Sequence, residues 1–401
     1  PATMRLAAMD TSPHLKLVSL ALLLASFPFP RAMAAPPPSL LEEEAGALLA
    51  WKATIQNPPA RLQSWGNTTT RPCGWYGIRC GEHQASITEI SLRGLWLRAR
   101  LDALNFTALH TLTSIRLPYN QIRGPFPPAL ASSLPNLRHL LLQGNGLSGQ
   151  IPRQIKHLES LVGLDLSNNH LSGPIPIELG YLNKLTRLDL STNNLTGPIP
   201  RTLGNCTKLT ILYLDGNRLS GHLPRELGYI VKLEELALSS NKLMGSIPNT
   251  FGSLINITGL YLWDNQLSGH VPPELNSLVN LEDLELAKNR LTGSIPGSFG
   301  NLTKLTTLIL HGNQFSGHVP RELGSLVNLQ VLSLHSNQLV GFIPNTFGNL
   351  TNITALSLYH NQLSGNIPQE LGSLINLELL DLSNNTLMGS IPITFVNLTN
   401  I

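Results

Sequence analysis

The sequence is short of charge. Only 13% of its 401 residues are Asp, Glu, Lys or Arg, about half of the ~25% usual in globular proteins. Their balance of +3 at neutral pH excludes a strongly basic nucleic-acid binder. Three cysteines exclude a disulfide-dense miniprotein and a multi-zinc module. Aromatics are few, at 5%. No P-loop, Gly-x-Ser-x-Gly elbow, His-Glu-x-x-His pair or kinase loop occurs, so the chain reads as no enzyme. What is present is 42% hydrophobic residues with 33 Gly and 29 Pro spread along the chain, which excludes a disordered polyelectrolyte.

The first residue is Pro1, and Met4 is the better initiator. Arg5 and Lys16 precede an apolar run from Leu17 to Phe29, followed by the small-x-small tripeptide Ala32-Met33-Ala34. This is the pattern of a secretory signal peptide over residues 1–34, cut after Ala34. At 13 residues the run is short for a membrane span, which takes about 20. Nothing after residue 35 comes closer.

Residues 35–86 read as a cap. Pro36-Pro37-Pro38 is a stiff spacer, Ser39 and Glu42 have capping-box spacing, and Leu41, Ala45, Leu48, Leu49 and Ile55 fall on one helical stripe. Asn57-Pro58-Pro59 ends that helix. Trp65, Trp75 and Tyr76 follow, with Cys73 and Cys80 far enough apart to close a disulfide loop; two free thiols are the alternative, disfavoured after a signal peptide. Cys206 reads as a small core residue.

Residues 87–401 repeat. An asparagine recurs from Asn120 and Asn145 to Asn385, the first step being 25 residues and each later one 24. A full unit is Leu185-x-x-Leu188-x-Leu190-x-x-Asn193-x-Leu195-x-Gly197-x-Ile199-Pro200-x-x-Leu203-Gly204. An atypical first unit, with Leu95 at the Asn position, makes about 13 units, the last one cut. A period of 20 to 29 residues is that of leucine-rich repeats. One unit cannot bury its leucines alone, and stacking units builds a continuous core. The Leu-x-Leu segment is a short strand, and successive strands pair in parallel. The buried asparagines must hydrogen-bond backbone groups.

The Leu-Ser-Gly-x-Ile-Pro stretch at Leu363–Pro368 resembles the plant-specific class of these repeats. The leading helix with Trp51, then Trp65 and Cys73-x6-Cys80, resembles the N-terminal cap of plant receptor-like kinases and receptor-like proteins. The resemblance implies an α/β repeat solenoid: a right-handed superhelix with a parallel concave sheet and a helical cap. It implies an extracellular ectodomain at the plasma membrane that binds a peptide or protein ligand, signals through a membrane anchor, a kinase and a leucine-rich-repeat co-receptor kinase, and needs no cofactor. Because Ile401 falls at the first leucine position of a further unit, the chain is expected to be a fragment of such a receptor. The alternative is a secreted inhibitor of microbial wall-degrading enzymes. The Arg-x-Arg pair by which some members grip a peptide carboxylate is missing from the late strands; Arg98-Ala99-Arg100 has the letters but lies near the cap.

Alternate units resemble each other most. Glu178, Glu226, Glu274, Glu322 and Glu370 recur every 48 residues, as do His222, His270 and His318, a mark of duplicated repeat pairs. Ten Asn-x-Ser/Thr sequons, at Asn67, Asn105, Asn194, Asn205, Asn256, Asn301, Asn349, Asn352, Asn384 and Asn397, are candidate glycosylation sites. Asn205, Asn301, Asn349 and Asn397 share a position away from the sheet face.

Side chains six, four, two and one positions before each repeating Asn are expected on the concave face. Eight acids (Asp165, Asp189, Asp215, Glu235, Asp264, Asp283, Glu285 and Asp381) stand there against Arg116, Arg187 and Lys288, a mildly acidic groove suited to a ligand with positive charge. Arg218, Lys242 and Arg290 follow on one rim. Aromatics gather in the same columns, as contact hot spots do. The candidate ligand-binding residues are Tyr213, Asp215, Tyr261, Trp263, Asp264, Glu285, His311, His335, Tyr359 and His360. His311 and His335 occupy one column in adjacent strands but lack a third ligand, so no metal is expected. Their protonation between about pH 5 and 7 is expected to tune binding.

Overall fold

The computed structural model describes residues 39–66 and 71–401. The proposed signal peptide, the proline spacer and Asn67 lie outside the described residues.

Helix α1 (Leu40–Thr54) begins directly after Ser39 and carries Glu42 and Glu43 in its first turn, where negative charge opposes the helix dipole. It buries Ala45, Leu48 and Trp51, while Leu41 and Leu49 pack partly buried against the core. It ends before Asn57, whose φ of 51° leaves helical space. Trp51, Trp65 and Trp75 form a chain, with ring centroids 6.4 and 5.9 Å apart. Two indoles have backbone acceptors at 2.9 Å: Trp51 donates to Arg100 O and Trp65 to Tyr76 O. Cys73 and Cys80 are joined by a disulfide. Glu44 is fully buried in the cap, accepting from Ile87 N at 2.6 Å and Thr111 Oγ1 at 2.5 Å. It ties the helix to the first two coils of the array.

Strand β1 (Ile78–Cys80) pairs antiparallel with β2 (Ile87–Ser91). From β2 on, thirteen three- to five-residue strands of the described chain stack in parallel and in register, Leu212 beside Leu236 beside Leu260. These central leucines are fully buried and their strand neighbours point outward. This is the parallel concave sheet that the repeat period implies.

The repeating asparagines lock each coil to the one before it. Asn217 Nδ2 donates to Leu190 O (3.0 Å), Leu214 O (3.1 Å) and Asp215 O (3.2 Å), while its Oδ1 accepts from Leu195 N at 3.0 Å. The same pattern runs from Asn120 to Asn385. A second, lateral ladder is built from Asn256, Asn280, Asn328, Asn352 and Asn376, each donating at 2.8–2.9 Å to a carbonyl 25 residues earlier. Two of its members, Asn256 and Asn352, are sequon asparagines.

The rest of each unit differs from a generic α/β picture. After the asparagine, the Leu-Ser-Gly segment forms a strand, and these strands assemble into a second, twelve-stranded parallel sheet. Each subsequent Ile-Pro leads into a five-residue 3₁₀ turn, as at Arg201–Asn205. Apart from α1, the described residues hold one short α-helix, Pro128–Ser133. Glycine makes the tight turns stack: a Cβ on Gly228 would lie 2.3 Å from Thr250 O in the next coil. Asn205, Asn301, Asn349 and Asn397 each end one of these turns and are exposed there. Cys206 is fully buried, its thiol pushed up to about 11 by burial, which fits a packing role.

Candidate functional site

The concave sheet and the turn that leaves it present the candidate residues in rows. Tyr213 and Tyr261 sit in the same column, two coils apart, and each leans diagonally onto the coil that follows. The Tyr213 hydroxyl bonds the Glu235 carboxylate. The Tyr261 hydroxyl donates to Asp283 Oδ2 at 3.1 Å, and Thr306 Oγ1 holds the other carboxylate oxygen at 3.2 Å. Arg187 lies over the Tyr213 ring, 5.3 Å from its centroid, and also pairs with Asp189 at 3.0 Å. Burial, then the Asp283 charge, pushes the Tyr261 phenol well above its ordinary range. Burial, then Asp283, also raises Glu285, and burial raises Asp215. Trp263 is half-buried beside Asp264, which is exposed and accepts from Ser240 Oγ at 3.2 Å.

Three rings further along stack continuously. His311 and His335 are 4.2 Å apart at 12°, and His335 and Tyr359 are 4.1 Å apart at 10°. His311 Nδ1 meets Ser333 Oγ and His335 Nδ1 meets Ser336 Oγ, both at 3.1 Å. His360 follows, exposed, with φ of 55°. No group of three His, Cys, Asp or Glu side chains that could hold a metal ion occurs among the described residues.

The histidine titration expected from sequence is revised. Burial, followed by His335 and Lys288, pushes His311 down to about 4, and burial lowers His335 despite the upward pull of Asp381. The His311 ring is therefore neutral near pH 6 in the free protein, and His335 is shifted in the same direction. A histidine whose folded value lies below its unfolded value of ~6.5 favours the folded state fully above that pH. That contribution is lost as pH falls from ~6.5 to about 4. An NMR titration should show the His311 imidazole unshifted from pH 7 to 5; a midpoint near ~6.5 would contradict this.

The acidity of the groove is also redistributed. Asp165 and Asp189 are buried, each accepting from the backbone N–H and hydroxyl of the serine two residues on. Asp381 makes the same bonds to Ser383. All three close local turns, and the buried Asp165 and Asp189 are poorly placed to meet a ligand. Glu235 and Asp283 count among the groove acids but not among the candidate ligand-binding residues, and Ser333 is in neither group, yet they hold Tyr213, Tyr261 and His311. Their signal was there: each lies 22 residues after its partner, two short of the 24-residue period, so the contact is diagonal.

The chain matches known families along most of its length. Residues 41–81 match the leucine rich repeat N-terminal domain and 260–400 a leucine-rich repeat region. Five further leucine rich repeats match between 136 and 254. It is similar to the Arabidopsis receptor kinase HAESA, solved with the peptide hormone IDA and the co-receptor SERK1, at 30% identity and a TM-score of 0.71, over 90% of this chain and 69% of that one. It is similar to the plant peptide hormone receptor RGFR1, solved with RGF2, at 34% identity and a TM-score of 0.62, over 78% and 56%. The Arabidopsis receptor-like serine/threonine-protein kinase RGI4 is 39% identical over 115 residues, 29% of this chain and 10% of that protein. The alignments to the curated relatives span about a tenth to a fifth of those proteins' length.

Proposed function

The chain belongs to the leucine-rich-repeat family of plant receptor-like kinases and receptor-like proteins, and from that premise we propose that it is the peptide-sensing extracellular part of a cell-surface receptor kinase. In this reading residues 1–34 are a signal peptide, 35–86 cap the array, and 87–401 form the recognition surface. Asn205, Asn301, Asn349 and Asn397 are glycosylated on the 3₁₀ turns, away from the concave sheet. Catalysis resides in a kinase outside this chain, recruited together with a leucine-rich-repeat co-receptor kinase. The described residues contain no helix long and apolar enough to cross a membrane, so anchoring too is assigned elsewhere.

The observation that carries the reading is the run of half-buried aromatics and acids from Tyr213 to His360. The Tyr–carboxylate pairs and the His–His–Tyr stack hold their side chains before any ligand arrives, which lowers the ordering cost of binding. Glu285, Asp264 and Asp215 supply negative charge for a basic ligand residue. HAESA and RGFR1 are peptide-hormone receptors by their own complexes, which supports an extended peptide as the ligand class. The relatives do not favour the inhibitor reading.

The test is a screen of the secreted, folded chain against synthetic plant peptides of about 10–15 residues, followed by calorimetry on the hits. Y261A/W263A/H335A should weaken binding at least ~100-fold, about 2.7 kcal/mol, since buried aromatic anchors are each worth ~1–2 kcal/mol or more. Unchanged affinity in a folded triple variant would remove the proposed surface.

A further inference from the structure

A second charged site lies at the other end of the molecule, on the outer sheet beside the cap. The first coil lacks the ladder asparagine: Leu95 takes its place, and Asn120 Oδ1 instead accepts from both Leu95 N (3.0 Å) and Leu97 N (3.1 Å). The chain then runs out along the cap, where Gln56 N bonds Arg98 O and Arg100 pairs with Arg123 as neighbouring backbone. Leu97 and Ala99 face the core while Arg98 and Arg100 face solvent, and Arg123 faces solvent on the adjoining strand. A cavity of about 670 Å³ opens among these three arginines, with Gln56, Thr54 and Gln121 at its edge.

The guanidiniums are positioned and only partly neutralised. Arg100 makes a bidentate pair with Asp102, at 3.0 and 2.6 Å. Its guanidinium lies over Gly124, where a Cβ would come within 3.3 Å of it. Arg98 Nε donates to the neutral Gln121 at 2.9 Å. Arg98 and Arg123 have no carboxylate partner in the ion pairs of the described residues.

We propose that this cap-side cavity binds an anionic carbohydrate, a uronic-acid oligosaccharide whose carboxylates pair with Arg98 and Arg123 and whose hydroxyls meet the polar side chains at the cavity's edge. Guanidinium forks match carboxylates bidentately, and the amide and hydroxyl groups of Gln56, Gln121 and Thr54 suit sugar hydroxyls. An acidic peptide fits less well, because peptide recognition takes apolar pockets for anchoring side chains and the lining offers only Ala99 and Ala103. The site stands apart from the peptide groove and does not depend on that reading.

The experiment uses the full secreted chain, with oligogalacturonate of about ten residues as the probe. Its methyl ester, poly-glutamate and inorganic sulfate serve as comparators. Oligogalacturonate should bind in a salt-sensitive manner, and the ester and poly-glutamate at least ~10-fold more weakly. R98Q/R123Q should weaken oligogalacturonate by ~10-fold or more, without shifting the thermal midpoint. No binding, equal binding of the ester, or tighter binding of poly-glutamate or sulfate would overturn the proposal. So would undiminished binding by folded R98Q/R123Q. The ester comparison needs no variant, so a misfolded variant leaves the proposal testable.

Discussion

Replacing Asn217 by alanine should destabilise the array by about 1–3 kcal/mol, because Leu195 N loses its acceptor in a dry seam and a buried unpaired group costs ~1–3 kcal/mol, while Leu190 O and Leu214 O lose one donor each and keep Asn193 and Asn241. Asn217 is 8% exposed, so water cannot easily restore those bonds. The loss falls at a single coil-to-coil interface, and repeat arrays are stabilised by nearest-neighbour interfaces. Urea unfolding of N217A should therefore show a lower midpoint and a split transition, the coils on either side melting separately. N249A, at the exposed first position of a 3₁₀ turn, should stay within ~0.5 kcal/mol of the parent. If N217A matches N249A, the ladder is not what joins the coils.

The second large effect is expected at the cap. Trp51 is fully buried, stacks towards Trp65 and donates to Arg100 O. Its truncation to alanine leaves a cavity and an unpaired carbonyl, for a cost of about 3–5 kcal/mol. The first coil would then lose its cover, and limited proteolysis should cut W51A early around residues 87–125. W96A, which removes a tryptophan of equal size at a 75% exposed position, should melt within ~0.5 kcal/mol of the parent. Equal destabilisation by the two variants would contradict the burial argument.

These features differ in how far the sequence reveals them. The ladder asparagines, the concave leucines and the cap helix are set by local spacing, and spacing survives in a linear chain. The Cys73–Cys80 bridge is similarly local. The second sheet was not anticipated, because its strands, such as Arg218–His222, gain their hydrogen bonds only from neighbouring units. The Leu-Ser-Gly segment shows too little alternation to announce a strand. The Tyr213–Glu235 and Tyr261–Asp283 pairs escaped because side chains lean across the register, so columns counted at the repeat period miss them. Asp165 and Asp189 looked like open charge because the serine that satisfies each of them is itself an ordinary repeat residue.

The central claim, that an extended peptide lies along the concave columns from Tyr213 to His360, is tested most directly by photo-crosslinking. A peptide selected on the folded chain would carry a photoreactive residue at successive positions, and the crosslinked sites would be mapped by mass spectrometry. The account predicts crosslinks at Tyr213, Tyr261, Trp263, His335 and Tyr359, moving along the array in step with the probe position. Crosslinks concentrated on the outer sheet or on the 3₁₀ turns, with none on these five residues, would contradict it.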